Sequence, residues 1–100
     1  MTMEEALVSV WQQAFAVNAK TVTLGDASYP IRRTSRSKLR EVDFKFGETA
    51  FRGVEQNAST NSRWAKLARE GKKVMQFLVD RRYVAAVVDG KVTMYHAPRG

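Results

Sequence analysis

Residues 32–40 read Arg-Arg-Thr-Ser-Arg-Ser-Lys-Leu-Arg, placing Arg32, Arg33, Arg36, Lys38 and Arg40 together with no carboxylate among them. A second basic group, Arg63, Lys66, Arg69, Lys72 and Lys73, follows the capping-type run Asn57–Ser62, and Arg81 with Arg82 makes a third. Guanidinium and ammonium groups interleaved with hydroxyls suit one chemistry best, the binding of phosphate oxygens. If the first two groups share a surface, they form the footprint of a nucleic-acid backbone contact. The plain alternative is a solvated basic surface that keeps the protein soluble. Arg32-Arg33-Thr34-Ser35 also matches a basophilic kinase site, a short pattern that recurs by chance.

Other chemistries find little support. The chain has one histidine, His96, and no cysteine, so thiolate metal sites, disulfides and cysteine nucleophiles are excluded. No cofactor fingerprint, nucleophile elbow or metal-ligand spacing is present. Paired carboxylates would need tertiary proximity, for example Glu41 with Glu55. Ser59–Arg63 precedes a helix and could hold an anion on free N–H groups, but the glycines of a phosphate loop are missing, and ordinary capping explains the run. Tyr29, Phe44, Phe46, Phe51, Tyr83 and Tyr95 lie in strand-like segments. They could stack bases, yet Phe44, Phe46 and Phe51 fall on one face, the usual pattern of a core.

The elements that must position these residues are legible from period and turns. Thr2-Met3-Glu4-Glu5 is a capping box, and Leu7, Val10, Trp11, Ala14 and Phe15 form one apolar stripe. A helix is expected over about residues 3–18, its stripe buried against the sheet or against a second copy. From Lys20 the period becomes two; Gly25-Asp26 marks a turn, and Pro30 implies an edge or a break. Arg32–Arg40 lacks apolar periodicity and reads as a loop or exposed strand extension.

Phe46-Gly47-Glu48-Thr49 reads as a two-residue hairpin turn. Counting outward opposes Phe44 to Phe51, Asp43 to Arg52 and Glu41 to Val54, which gives an aromatic pair on one face and an opposite-charge pair on the other. Trp64, Leu67 and Ala68 fall on one side of a short helix that Gly71 ends, with Arg63, Lys66, Glu70 and Lys73 on another. Val74–Val79, Tyr83–Val88 and Val92–Tyr95 read as strands, the last two joined by a type I′ turn at Asp89-Gly90. The unbroken apolar run Val84–Val88 predicts a central strand covered on both faces.

One hundred residues with 44% hydrophobic content imply a single domain spanning 1–100. The expected fold is α+β: a strongly curved antiparallel sheet or partly open small β-barrel, with an N-terminal helix and a short helix between two strand groups. A parallel pairing between the halves stays open. Net charge is +7, and residues 1–31 hold Lys20 against Glu4, Glu5 and Asp26, so the excess lies downstream. The acidic start and the interrupted apolar run predict no signal peptide and no membrane span, hence a cytoplasmic protein. The leading functional expectation is a non-enzymatic domain that binds nucleic acid, or another polyanion, through phosphates without strong sequence specificity. Its site is Arg32, Arg33, Arg36, Lys38, Arg40, Arg63, Lys66, Arg69, Lys72 and Lys73. The alternative is a protein-interaction or accessory domain, homodimeric through its N-terminal helix. No cofactor and no metal are expected.

Overall fold

The computed structural model describes residues 1–95. His96 and the tail that follows lie outside the described residues. The Thr2 hydroxyl accepts from the Glu5 amide at 3.1 Å, and the Glu5 carboxylate accepts from the Thr2 amide at 2.7 Å. These bonds start α1 (Met3–Ala14) and hold the Glu5 carboxyl below its ordinary pKa. The helix ends earlier than the expected residue 18. Phe15 is its C-cap, the chain leaves through turns, and Asn18 sits at φ 59. The apolar stripe stops at Phe15, and Val17 beyond it is 90% exposed, so further helical turns would bury nothing.

Strands β1 (Thr21–Leu24), β2 (Ala27–Arg33), β3 (Arg40–Phe46) and β4 (Thr49–Glu55) follow. Then come α2 (Arg63–Arg69), β5 (Val74–Val79), β6 (Arg82–Val88) and β7 (Lys91–Met94). Each strand pairs antiparallel with the next, in one seven-stranded meander ordered β1 to β7. The junction between the halves is the antiparallel pair β4–β5, which settles the question of a parallel pairing. The β3–β4 register is the expected one, from Glu41 opposite Val54 to Phe46 opposite Thr49. So is β6–β7, with Val87 opposite Val92 and Ala85 opposite Met94. Asp89 and Gly90 sit at φ 53 and 73, the mirror-image turn that the twist of a hairpin demands.

Pro30 marks a break. Residues 27–30 of β2 pair with β1, whereas residues 31–33 pair with β3. Lacking an N–H, Pro30 stands where the strand changes neighbours and no ladder bond is lost. The β5–β6 ladder also shifts by one residue between Phe77 and Leu78, where Val84 is the extra residue. Such a bulge bends its strand and turns Val84 as well as Ala85 inward, which accounts for two consecutive residues in the core under α1.

Leu7, Val10 and Ala14 of α1 are buried against Val22, Val42, Phe44, Phe51, Met75, Phe77 and Val87. The stripe is therefore satisfied by the chain's own sheet. α1 also reaches strands at both edges of the meander, β1 and β7. The helix thus lies across the sheet, whose order ends at β1 and β7, which do not pair, so the sheet is not closed. Gly53 leaves room for two core side chains: a Cβ there would stand 3.0 Å from both Met75 Sδ and Phe77 Cε1.

Among the described residues, the other face is covered only over β5–β6. There Trp64 of α2 packs with Val74 and Ala86, flanked by Leu67, Ala68, Val88 and Tyr95. The apolar strand β6 is thus sandwiched between α1 and α2, as its unbroken pattern requires. No helix among the described residues is long and apolar enough to cross a membrane.

Candidate polyanion-binding surface

In an antiparallel meander, every second connection emerges at the same end. The β2–β3 loop (34–39), the β4–β5 connection (56–73) that contains α2, and the Asp89-Gly90 turn share one end of this sheet. Residues far apart in sequence, Arg33–Arg40 and Arg63–Lys73, therefore lie at the same end of the sheet. Arg81 and the third basic group leave from the opposite end, with the Gly47 turn.

The 56–73 connection is pinned. The Ser62 hydroxyl caps α2 by accepting from the Ala65 amide at 3.1 Å. The Asn57 carboxamide accepts from the Ser59 amide at 2.9 Å and the Ser59 hydroxyl at 2.6 Å, closing a local turn. Gln56 donates to the Asn57 carbonyl and the Thr60 hydroxyl, and Gln76 donates to Gln56. The Tyr95 hydroxyl donates to Gln76 at 3.2 Å, and burial keeps its phenol protonated above the ordinary range. Gly71, at φ 93, ends α2 as expected.

The ten basic residues expected to meet phosphate divide into two sets. Arg32 lies in β2, not in the loop, and is bound to Asp43 at 2.6 Å and to Glu41 at 3.0 Å. Arg40 bonds Glu55 at 3.2 Å and covers the Phe15 ring at 5.1 Å. Arg69 donates to the carbonyls of Ala58 and Thr60 at 2.6 and 3.0 Å, lacing α2 to its own leader. Arg33 donates to the Lys38 carbonyl at 2.9 Å, and Lys72 pairs with Asp89 at 3.1 Å. These five hold structure together.

The remainder are Arg36 and Lys38 on the loop and Arg63, Lys66 and Lys73 around α2. All five are exposed, and none has an ion-pair partner among the described residues. Arg63 stacks over Trp64 at 4.3 Å, which orients its guanidinium while leaving its donors outward. Trp11 donates from its indole to the Lys73 carbonyl at 2.8 Å, fixing the backbone from which Lys73 projects.

Glu41 and Glu55 are each held by an arginine and do not form a carboxylate dyad. No group of metal-ligating side chains comes together among the described residues. A cavity of about 500 Å³ opens at the opposite end, bordered by Tyr29, Lys45, Arg52, Asp80 and Arg81, away from both basic segments. Phe44 and Phe51 stack in the core at 5.3 Å and offer no open base platform; Tyr83 alone of the strand aromatics is exposed, at 54%. Comparison with protein-family models, curated proteins and solved structures finds no match to this chain.

The Arg32–Asp43–Arg52 cluster makes a pH test. Hydrogen bonds from Arg52, and then from Arg32, hold the Asp43 carboxyl below its ordinary value of 3.8, against the opposing effect of desolvation. A depressed folded-state pKa stabilises above the unfolded value, and this contribution is lost as pH falls through the folded one. Asp43→Asn is expected to lower stability at pH 7 by about 1 kcal/mol or less, since the cluster is solvent-exposed. The gap from wild type should close below pH 3.8 in urea titrations across pH. A gap that is unchanged in acid would assign the loss to packing instead.

Proposed function

We propose that this domain is a non-enzymatic binder of nucleic acid that grips phosphates with Arg36, Lys38, Arg63, Lys66 and Lys73. The observation that supports it is the placing of the 34–39 loop and the α2 connection at one end of the sheet. Cations of two segments 25 or more positions apart in sequence are exposed there; Glu55 and Asp89 are occupied by Arg40 and Lys72, while Glu70 at the end of α2 is exposed without an ion-pair partner among the described residues. Oriented guanidinium and ammonium groups with loop hydroxyls neutralise a phosphate chain by counterion release. Among the described residues nothing is arranged to read base edges, since α2 spans only seven residues. The homodimer alternative loses its surface, because the α1 stripe is consumed by the sheet.

The decisive experiment is fluorescence anisotropy with labelled single-stranded and duplex oligonucleotides at increasing salt. With about four phosphates neutralised on a duplex, log K should fall with log[salt] at a slope near −3.6. Affinity should then drop roughly 100-fold between about 50 and 200 mM. Absence of binding at about 50 mM, or a slope near zero, sinks the proposal.

A further inference from the structure

The two edges of the meander are treated differently. At β1, the Gln13 carboxamide accepts from the Thr23 amide at 2.8 Å and donates to the Thr23 carbonyl at 2.9 Å. A side chain of α1 thus imitates the missing neighbour strand and covers that edge at Thr23. At β7 the Tyr95 amide donates inward to the Val84 carbonyl at 2.8 Å. Ladder direction alternates along a strand, so Thr93 and Lys91 also face β6, while the amides and carbonyls of Val92 and Met94 point outward. Among the described residues no strand pairs with them.

Beside this open edge runs a groove of about 390 Å³ between α1 and β7. Val8 and Val92, both half-buried, form its apolar floor, and Glu4 and Glu5 stand on its rim. The Glu5 carboxylate is engaged with Thr2, whereas Glu4 is exposed and unpaired among the described residues. An unpaired ladder beside an apolar slot is the geometry that strand addition uses.

We infer that the β7 edge accepts an extended segment of a partner protein, in which a β-branched residue packs on Val8 and Val92 and a neighbouring lysine or arginine meets Glu4. The backbone chemistry demands an extended chain, and the carboxylate rim selects its charge. A second copy of this chain fits poorly. Two bodies of net charge +7 would be brought edge to edge. This inference is independent of the nucleic-acid surface.

The test is selection of random seven-residue peptides displayed on phage against the purified domain, followed by binding of the selected synthetic peptides. Val92→Pro removes one outward N–H without breaking a bond to β6, so it blocks strand addition while sparing the ladder. Selected peptides should alternate β-branched residues, carry a lysine or arginine, and bind wild type on the order of tenfold or more tighter than V92P, one hydrogen bond's worth or better. Glu4→Lys, a surface change that leaves the fold intact, should weaken the same peptides several-fold at low salt and serves if V92P unfolds. The Val92 and Met94 amides should gain protection from hydrogen exchange when peptide binds. Failure to enrich peptides, equal binding to E4K, or a concentration-dependent dimer through this edge would overturn the inference.

Discussion

Phe77→Ala is expected to cost about 3–5 kcal/mol, the range for emptying a phenylalanine site in a closed core. Phe77 is 0% exposed and stands edge-on to Phe44, with ring centroids 5.9 Å apart. Its ring also occupies the space over Gly53, a position with no side chain of its own to fill a void. For a domain of this size each kcal/mol lowers Tm by roughly 4–8 °C, so the variant should melt at least about 12 °C lower. The same contact predicts a coupling. In the wild type, Gly53→Ala overpacks the site because its Cβ meets the Phe77 ring at 3.0 Å, and it should destabilise by about 1–3 kcal/mol. In the Phe77→Ala background the ring's part of that collision is gone while the contact with the Met75 Sδ remains, so the added methyl should cost less than it does in the wild type. Urea unfolding of the four proteins of this cycle gives the coupling directly. Additive losses would mean that Phe77 and Gly53 do not share a packing site.

How much of the fold is legible in the sequence depends on how local the cause is. The β3–β4 and β6–β7 registers can be read because short turns with glycine fix the pairing and every partner follows by counting. The sandwiched position of β6 is legible from its apolar run. The bulge at Val84 is hidden in that same run, since no polar residue marks which side chain is supernumerary. The early end of α1 is not legible because Ala16 and Val17 are helix-compatible; what stops the helix is the lack of anything for them to pack against.

The candidate site shows the same divide. Arg32 reads by composition as part of a loop, although a signal to the contrary exists: extending the register from Ile31 opposite Val42 sets Arg32 opposite Glu41. Arg40 with Glu55, and Arg69 with the carbonyls of Ala58 and Thr60, have no such signal, because a residue type does not reveal whether its donors are spent inside the molecule. Nor does the sequence reveal that Gln13 covers the β1 edge at Thr23. The placing of the two basic segments at one end follows from the meander order, a property of the whole sheet.

The division of the basic residues carries the second large effect. Reversing Arg36, Lys66 and Lys73 together to glutamate should weaken oligonucleotide binding by roughly 100-fold or more at about 50 mM salt. It should also reduce the magnitude of the salt slope by about three, close to one for each cation that no longer meets a phosphate. Stability should stay within about 0.5 kcal/mol of wild type, since none of the three makes an ion pair in the fold among the described residues. Arg69→Met and Arg40→Met should do the reverse. Each keeps an apolar stem but strips donors, from the Ala58 and Thr60 carbonyls or from Glu55, so stability falls while the salt slope holds nearly constant. Net charge alone cannot produce this contrast, because the triple variant and the single variants would then differ only in degree. If Arg69→Met and Arg40→Met, at unchanged stability, lower the slope as much per charge as the triple reversal does, binding reads the diffuse field of a +7 protein and not a built surface.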